Sequence, residues 1–362
     1  MYTAERFPLP ISTVSDEVEP LAAEVREAAR RHYSLKIRGA NSKAFLGRRT
    51  MGRVLDLSTF AGVIDYQPTE LVITARAGTP LREVETLLAA HGQMLAFEPP
   101  DFVGGGTVGG MVAAGLSGPR RPFVGAVRDF VLGVTVLDGR GQVLRFGGQV
   151  FKNVAGFDAF RLMAGAMGHL GVLLDVSLRV APRPRTELSL SFAETWPAAQ
   201  ARLGELMRRP LPLSGAFHDG KQLHLRLSGT DRAVAHGAAE IGGDETPLEI
   251  WDELRHQRLP FFAAHRLWRL SVPRTCQIGD LPGSWLMEWA GAQRWLVTRA
   301  HPQVVRAAAR EAGGHAMLYH GAVDGEDVFD PLPPALMDLH RRVRRALDPS
   351  GVFNRNRMYK GF

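Results

Sequence analysis

The stretch Glu98-Pro99-Pro100-Asp101, running on through Gly104-Gly105-Gly106-Thr107-Val108-Gly109-Gly110-Met111, puts five glycines into a largely apolar segment. Glycine at that density lets another group approach the backbone closely. Gly104, Gly106 and Gly109 match the dinucleotide pattern G-x-G-x-x-G, and Asp138 comes after a strand farther on, so a nicotinamide dehydrogenase is one reading. The context argues against it. That fingerprint comes after a strand and opens a regular helix, whereas Pro99-Pro100 precedes this one and Gly115, Gly118, Pro119 and Pro122 interrupt the segment beyond it. Asp138 is better explained by a hairpin turn.

Two further glycine clusters lie on either side. Arg38-Gly39-Ala40-Asn41-Ser42 comes after a short strand in which Leu35 and Ile37 alternate with Lys36 and Arg38. Such a loop can aim consecutive backbone N–H groups at a phosphate, although taken alone it reads as an ordinary surface turn. Gly165-Ala166-Met167-Gly168-His169-Leu170-Gly171-Val172 precedes an apolar strand and again permits close approach. Three clusters in one half of the chain favour a large, phosphate-containing cofactor over three unrelated turns.

Working outward, Leu21, Val25, Ala28 and Ala29 have helical spacing, and Leu71 to Ala75 reads as a strand. A helix is expected after it, with Thr79 as N-cap, Pro80 at the first helical position and an end near Gly92. Phe130 to Leu137 and Gln142 to Phe146 read as strands joined by Asp138-Gly139, a dipeptide suited to positive φ, and Val172 to Val180 adds one more. The Pro-Arg-Pro-Arg run at 182–185 ends the glycine-rich half, and all six tryptophans lie beyond it. Strands over Gln222–Leu227, Leu267–Val272, Trp285–Trp289 and Ala316–Tyr319, with helices over 232–240, 248–257 and 302–312, suit a smaller antiparallel α+β lobe. A helix from Ala335 to Leu347 and a turn at Asp348-Pro349-Ser350-Gly351 close the sequence.

At 362 residues the chain is long enough for two lobes with separate cores, and 45% hydrophobic with 22% charged residues is a globular balance. No run approaches the roughly 18 apolar residues of a membrane span, and the first residues lack the apolar core of a signal peptide, so a cytoplasmic location is expected. Cys276 is the single cysteine, which excludes a disulfide or an iron–sulfur cluster held by this chain alone. Net charge +7 suits an anionic ligand, an acidic partner subunit or an anionic membrane surface. The arginines form only short clusters and no nucleic-acid-binding motif, so nucleic acid is not an expected partner. Nor do the scattered histidines form a metal motif.

The distinctive stretches are Ile37 to Gly47, Pro68 to Arg76, Gly109-Gly110-Met111-Val112-Ala113, Gly118-Pro119-Arg120-Arg121-Pro122, Val127 to Gly133, Lys152-Asn153-Val154-Ala155-Gly156, Leu259-Pro260-Phe261-Phe262, Ala312 to Ala316 and Asp348 to Asn354. Together they resemble the FAD-binding fold of the vanillyl-alcohol-oxidase type, and within it the E-subunit family of bacterial glycolate oxidase, over nearly the whole chain. The resemblance implies an α+β fold: a two-subdomain FAD-binding domain over 1–184, a smaller α+β cap lobe over 185–334, and a C-terminal segment, 335–362, returning to the FAD domain. By position it implies that Arg38, Gly39, Ala40, Asn41 and Ser42 hold the pyrophosphate. Pro99, Gly105, Thr107, Gly109, Gly110, Ala114, Gly115 and Gly118 would line the cofactor, Gly171 and Val172 would meet its adenosine end, and Asn354 would contact the flavin. Many relatives attach flavin through a histidine in the first loop. Here that loop reads Ala40-Asn41-Ser42, so noncovalent FAD is implied. The family usually has Asn-Pro-Gly near the C-terminus, whereas this chain has Asn354-Arg355-Asn356.

Oxidising a 2-hydroxy acid needs a cation or donors for the carboxylate, a base for the hydroxyl proton, and a flavin to accept hydride. Arg121, Lys152 and Asn153 are the catalytic candidates, with a solvated surface charge or a local turn as their structural alternatives. His315 and His340 fit core or surface histidines better than bases. The resemblance further implies a complex with a second flavin subunit and an iron–sulfur subunit. That complex would oxidise glycolate to glyoxylate and pass electrons to quinone, with peripheral association at the inner membrane through the complex. The alternative is an FAD-containing relay or assembly subunit without its own turnover.

Overall fold

The computed structural model describes residues 15–148, 158–278, 281–322 and 326–362. Helix α1 (Glu19–Arg31) buries Ala22, Val25 and Ala28, a stripe three residues apart that gives it one apolar face. Strand β1 (Leu35–Arg38) pairs in parallel with β2 (Arg53–Asp56), and Leu35 forms a bridge to Phe353 near the C-terminus. The chain then builds β3 (Val63–Gln67), β4 (Val72–Arg76), α2 (Leu81–Ala90), β5 (Gln93–Met94) and the short α3 (Val108–Ala114). Two further single-turn helices, α4 (Arg121–Val124) and α5 (Val127–Phe130), lead into β6 (Val131–Leu137), β7 (Val143–Gly147) and β8 (Val172–Arg179). Strands β3-β4-β8-β6-β7 form one antiparallel sheet, and Ile73, Val134, Val136 and Val176 from it pack with Leu81, Val84 and Leu88 of α2 and with Met111 and Val112 of α3.

The short β9 (Ala181–Pro182) pairs with β5. Beyond it come β10 (Thr186–Ala193), α6 (Trp196–Leu206), β11 (Leu213–His218), β12 (Gln222–Gly229), α7 (Asp231–Ile241), β13 (Asp244–Thr246) and α8 (Glu249–Arg255). Strands β14 (Leu267–Ser271), β15 (Ser284–Glu288) and β16 (Gln293–Val297), helix α9 (Pro302–Glu311), β17 (His315–His320) and α10 (Pro334–Leu347) complete the fold. Eight of these strands form an antiparallel sheet in the order β13-β10-β12-β11-β15-β16-β14-β17. Its two faces bury different things, as period-2 alternation requires. Ala216, Leu225 and Leu227 pack against Leu203 of α6 and Val234 of α7, while Leu270, Leu296 and Leu318 pack against Val305 and Ala309 of α9. The opposite face turns Phe217, Leu267, Leu286, Trp295 and Tyr319 toward Leu46, Leu116 and Met167 of the glycine-rich half.

That seam also holds a buried ion cluster. The Glu98 carboxylate accepts from the Arg120 backbone N–H at 2.8 Å and Arg120 Nε at 3.2 Å, and Arg226 of β12 reaches it at 2.8 Å. Burial opposes ionisation of Glu98, but the two arginines outweigh it and hold the carboxyl below its usual range. A side chain on Gly118 would run into the Glu98 carbonyl, so glycine there serves the tight packing beside this cluster.

Several local expectations change. Pro80, not Thr79, caps α2, because the Thr79 hydroxyl is engaged with Gly62, accepting from its N–H at 2.9 Å and donating to its carbonyl at 3.0 Å. The β6–β7 turn exists, but its positive φ falls at Gly141 (75°) instead of at Asp138-Gly139. Gly139 is tight for another reason: Asp348 lies against it, where a Cβ would come 2.7 Å from the Asp348 Cα. The strands β2, β3, β5, β9, β10, β11, β13 and β16 and the helices α3, α4, α5 and α6 add to those read from sequence.

Candidate cofactor site

A cleft walled by the glycine-rich segments encloses about 990 Å³ of non-atom space, part of it open to solvent. One wall is the loop after β1. Residues Gly39 to Lys43 line it, and among the described residues no acceptor pairs with the backbone N–H groups of Ala40, Asn41 and Ser42. Asn41 takes a left-handed φ of 61°, a conformation Asn tolerates better than most residues and one that curls the loop. The loop presses on the second wall at Gly39, where any Cβ would collide with Thr107 Oγ1.

Thr107 caps α3, its hydroxyl accepting from the Gly110 N–H at 3.2 Å, and Gly109 and Gly110 face the cleft from the first turn. Gly109 is also held hard against β4's end: its N–H donates to the Ala77 carbonyl at 2.8 Å, and a Cβ would come 2.6 Å from that of Ala77. The third wall runs from Met163 to Leu173 and is tied to α3 by the Met167 N–H donating to the Ala113 carbonyl at 2.9 Å.

The C-terminal return fastens first and third walls together. Asn354 Oδ1 accepts from the Ile37 N–H at 3.0 Å, its Nδ2 donates to the Met167 carbonyl at 2.7 Å, and its backbone N–H donates to the Leu35 carbonyl at 2.9 Å. A Cβ on Gly168 would sit 2.5 Å from Asn354 Nδ2, so glycine is needed for that contact. With φ 41° at Asn354 and 63° at Asn356, two asparagines carry the left-handed positions of this turn. Next to it, Arg357 donates to the Lys43 carbonyl at 3.0 Å, and the Met358 N–H donates to His169 Nε2 at 3.2 Å. Burial, with Arg344 and Arg357 nearby, pushes His169 down to about 3, so the ring is neutral and, accepting at Nε2, carries its proton on Nδ1.

The cleft is positively biased. Lys43 Nζ is buried with no hydrogen-bond partner, burial lowers its pKa with Asp101 partly offsetting that, and Asp101 Oδ1 is likewise buried and unpartnered. Arg38 and Arg357 line the same space, Arg38 also ion-paired to Asp56. Among the described residues none of those lining the cleft is a His, Cys or Tyr.

Of the residues singled out in the sequence, Arg38, Gly39, Ala40, Asn41, Ser42, Thr107, Gly109, Gly110, Ala114, Gly171 and Asn354 come together around this cleft. Of the others, those the structure describes lie off its lining and have protein partners or solvent instead. Pro99 is buried, its carbonyl accepting from Arg255 Nε at 3.0 Å. Gly105 is half-buried with φ 79°, its N–H donating to the Phe102 carbonyl at 2.9 Å, and Gly115 ends α3 with φ 66°, its Cβ position filled by the Gly165 backbone. Gly118 sits on Glu98, and Val172 packs with Leu35, Leu137 and Phe353 in the core beneath α1. Arg121 stands over the Trp289 ring at 4.1 Å, away from the cleft. Lys152 and Asn153 fall outside the described residues. His315 is exposed at the start of β17, and His340 is half-buried on α10 with Nδ1 at 2.8 Å from the Leu336 carbonyl; neither reaches the cleft. Sequence reading passes over Lys43, Met167 and Arg357 as site residues, since nothing local marks a residue that is placed by the C-terminal return.

An FAD binding domain family matches residues 14–147. Glycolate oxidase subunit GlcE of Escherichia coli (strain K12) is 46% identical over 95% of this chain and 98% of its own length. The chain belongs to the glycolate oxidase subunit GlcE family. More distant likeness covers less: a D-lactate dehydrogenase of Archaeoglobus fulgidus is 28% identical over 46% of this chain and 38% of its own, and glycolate oxidase subunit GlcD of Bacillus subtilis is 29% identical over 38% and 29%. Two structures of alkyldihydroxyacetonephosphate synthase superpose with TM-scores of 0.65 and 0.66 at 12% and 13% identity, covering 93% of this chain and 75% of theirs, which shows the shared fold. FAD is therefore the cofactor of this GlcE-family chain, and its chemistry is that of an FAD-dependent oxidoreductase. The cleft fits such a group: unpaired N–H groups at residues 40–42 suit a diphosphate, and Gly39, Gly109 and Gly168 keep side chains out of its path. No helix among the described residues is long and apolar enough to cross a membrane.

Proposed function

We propose that this chain is the FAD-binding subunit of a multi-subunit glycolate dehydrogenase, taking part in oxidation of glycolate to glyoxylate and handing electrons to partner subunits and on toward quinone. The observation that carries the reading is the cleft whose first loop presents unpaired N–H groups, in a chain similar over 95% of its length to a glycolate oxidase subunit. Residues 38–42 would hold the diphosphate, Thr107, Gly109, Gly110 and Ala114 would flank the cofactor, and Gly171 would meet its far end. Bound there, FAD supplies a two-electron acceptor. The chain's own part is to fix that acceptor between three walls, keep the ring of His169 neutral against the Met358 N–H, and attach the eight-stranded sheet through Glu98, Arg120 and Arg226. The division into an FAD domain at 1–184, a cap at 185–334 and a returning segment at 335–362 belongs to this proposal. It is supported by separate apolar clusters on the two sides and by the bridge from Leu35 to Phe353.

A second flavin subunit and an iron–sulfur subunit are the partners this reading calls for, since one cysteine cannot hold a cluster. Membrane association would then come through the complex. The deciding experiment is anaerobic flavin reduction by glycolate, on this chain alone and on the reconstituted complex at equal flavin content. Glycolate-dependent bleaching that requires this chain's FAD supports the proposal. Bleaching confined to the partner flavin makes this chain a relay, and a complex that works without this chain refutes it.

A further inference from the structure

Lys43 follows the loop whose N–H groups face the cofactor cleft, and its side chain lines the same space. Its Nζ is buried without a hydrogen-bond partner and stands 5.5 Å from the centre of the Phe102 ring. The carboxylate that bears on it is Asp101, whose Oδ1 is also buried and unpartnered, yet no ion pair within 4.0 Å joins the two. Gly106 lies beside both: a Cβ there would sit 3.0 Å from Nζ and 3.1 Å from Oδ1, so glycine keeps that space open. A buried ammonium left in this way is costly unless a bound group completes it.

A second cation stands with it. Arg357 lines the cleft, donates to the Lys43 carbonyl at 3.0 Å and has no carboxylate within 4.0 Å among the described residues. Lys43 and Arg357 set against Asp101 leave one surplus positive charge. That surplus belongs to one end of the cleft. Leu46, Ala114 and Met167 line the cleft and pack into the seam against the eight-stranded sheet, as does Phe102 beneath Lys43. Ile37 and Leu57 line it as well but belong with the core under α1, as does Leu137, on which Gly171 rests. On the proposed placement of FAD, on which this inference rests, residues 38–42 take the diphosphate and Gly171 the far end, so the ring falls toward the seam, where Lys43 stands.

We propose that Lys43 is the counter-ion of the FAD ring, its ammonium, with Arg357 beside it, compensating the negative charge that the ring gains on reduction. Taking up a hydride brings the ring two electrons and one proton, so the reduced ring carries one more negative charge than the oxidised ring until a second proton arrives. The hydride donor is the 2-hydroxy acid of the proposed reaction, which becomes the oxo acid as its hydroxyl proton passes to a base. One surplus positive charge matches one added negative charge, and away from bulk water that pairing shifts the balance toward reduced FAD.

The same ammonium is a liability when the cleft is empty. Burial lowers its pKa and Asp101 only partly offsets that, so the fold by itself gives the charge little support. A lysine kept for the fold would stabilise the empty chain. A lysine kept for the ring weakens the empty chain and acts only once FAD is bound, and these opposite signs are what the variants separate.

The test uses the full chain, loaded with FAD for an anaerobic redox titration followed by flavin absorbance, and emptied of FAD for unfolding and binding. In Lys43→Met the preference for reduced over oxidised FAD should fall about tenfold, a drop of about 30 mV for a two-electron couple, while Lys43→Arg should stay within about threefold of native. The empty Lys43→Met chain should unfold at or above the native temperature, because an uncompensated buried charge is gone. ADP, which carries the diphosphate without the ring, should bind the empty native and Lys43→Met chains alike. An unmoved potential in Lys43→Met overturns the assignment. So does an ADP affinity lowered about tenfold, which puts Lys43 on the diphosphate instead. A clear loss of empty-chain stability in both Lys43→Met and Lys43→Gln makes the lysine a structural partner of Asp101 and overturns it too. Each of these results leaves the proposed function standing, whereas a native chain that fails to hold FAD refutes that function and this inference together.

Discussion

Asn354→Ala separates two jobs that a cleft residue can have, touching the cofactor and holding the walls that do. The Asn354 amide bridges the Ile37 N–H at 3.0 Å and the Met167 carbonyl at 2.7 Å, one from each wall, and the residue itself is buried. Removing the amide leaves both backbone groups without that partner, each at about 1–3 kcal/mol. Alanine must also hold a left-handed φ of 41°, which costs L residues roughly 1–2 kcal/mol and asparagine less. A loss of roughly 3–6 kcal/mol in stability is therefore expected for the apo chain, read from urea or thermal unfolding. FAD affinity should weaken at least about tenfold, because the ligand must now draw the walls together, and about 1.4 kcal/mol suffices for that factor. Asn354→Asp keeps the acceptor for Ile37 but sets an oxygen against the Met167 carbonyl, so it should lose FAD as well. Asn354→Gly relieves the backbone without restoring either hydrogen bond and should fall between alanine and native. An Asn354→Ala chain that unfolds and binds FAD as the native chain does would refute the reasoning.

Gly39→Ala forces a methyl onto Thr107 Oγ1, so a destabilisation of about 1–3 kcal/mol and a lower flavin-to-protein ratio after gel filtration are expected. Glu98→Gln leaves Arg120 and Arg226 buried opposite a neutral amide and should cost about 3–5 kcal/mol in denaturant unfolding. Because the folded carboxyl of Glu98 is held below its ordinary value, its contribution is present above that value and disappears as acid is added through the lower one, a dependence absent in the variant. Glu288 works with the opposite sign. Raised from 4.5 to about 7, it binds a proton in the folded chain that the unfolded chain has released, so stability should fall by roughly 3 kcal/mol as pH rises between those values, and Glu288→Gln should abolish the slope. Finally, with no His, Cys or Tyr among the described cleft-lining residues, acid or denaturant should release all flavin from the polypeptide, measured as absorbance in the protein-free filtrate.

Two backbone walls of the cofactor cleft are legible along the chain alone. Gly39 stands out in a glycine loop after a strand and Gly109 in a glycine-dense apolar segment, and such local patterns survive into any tertiary arrangement that uses them. Where the same reasoning names a strand or helix, it places it within a residue or two, since apolar periodicity is written along the chain. Turn details are less secure: Thr79 reads as a cap until Gly62 offers its hydroxyl a partner, and Gly118 reads as a cofactor residue until Glu98 is placed against it. Folding alone settles the places where distant segments meet. Asn354 reaches Ile37 and Met167 across more than 180 residues of chain, and the residues gathered around Arg269 come from three strands whose register no local signal announces. Single polar residues on an inward sheet face look like ordinary alternation in sequence. Their surroundings are set only when the opposing half closes over them, because whether a buried charge is paired depends on atoms contributed by the other wall.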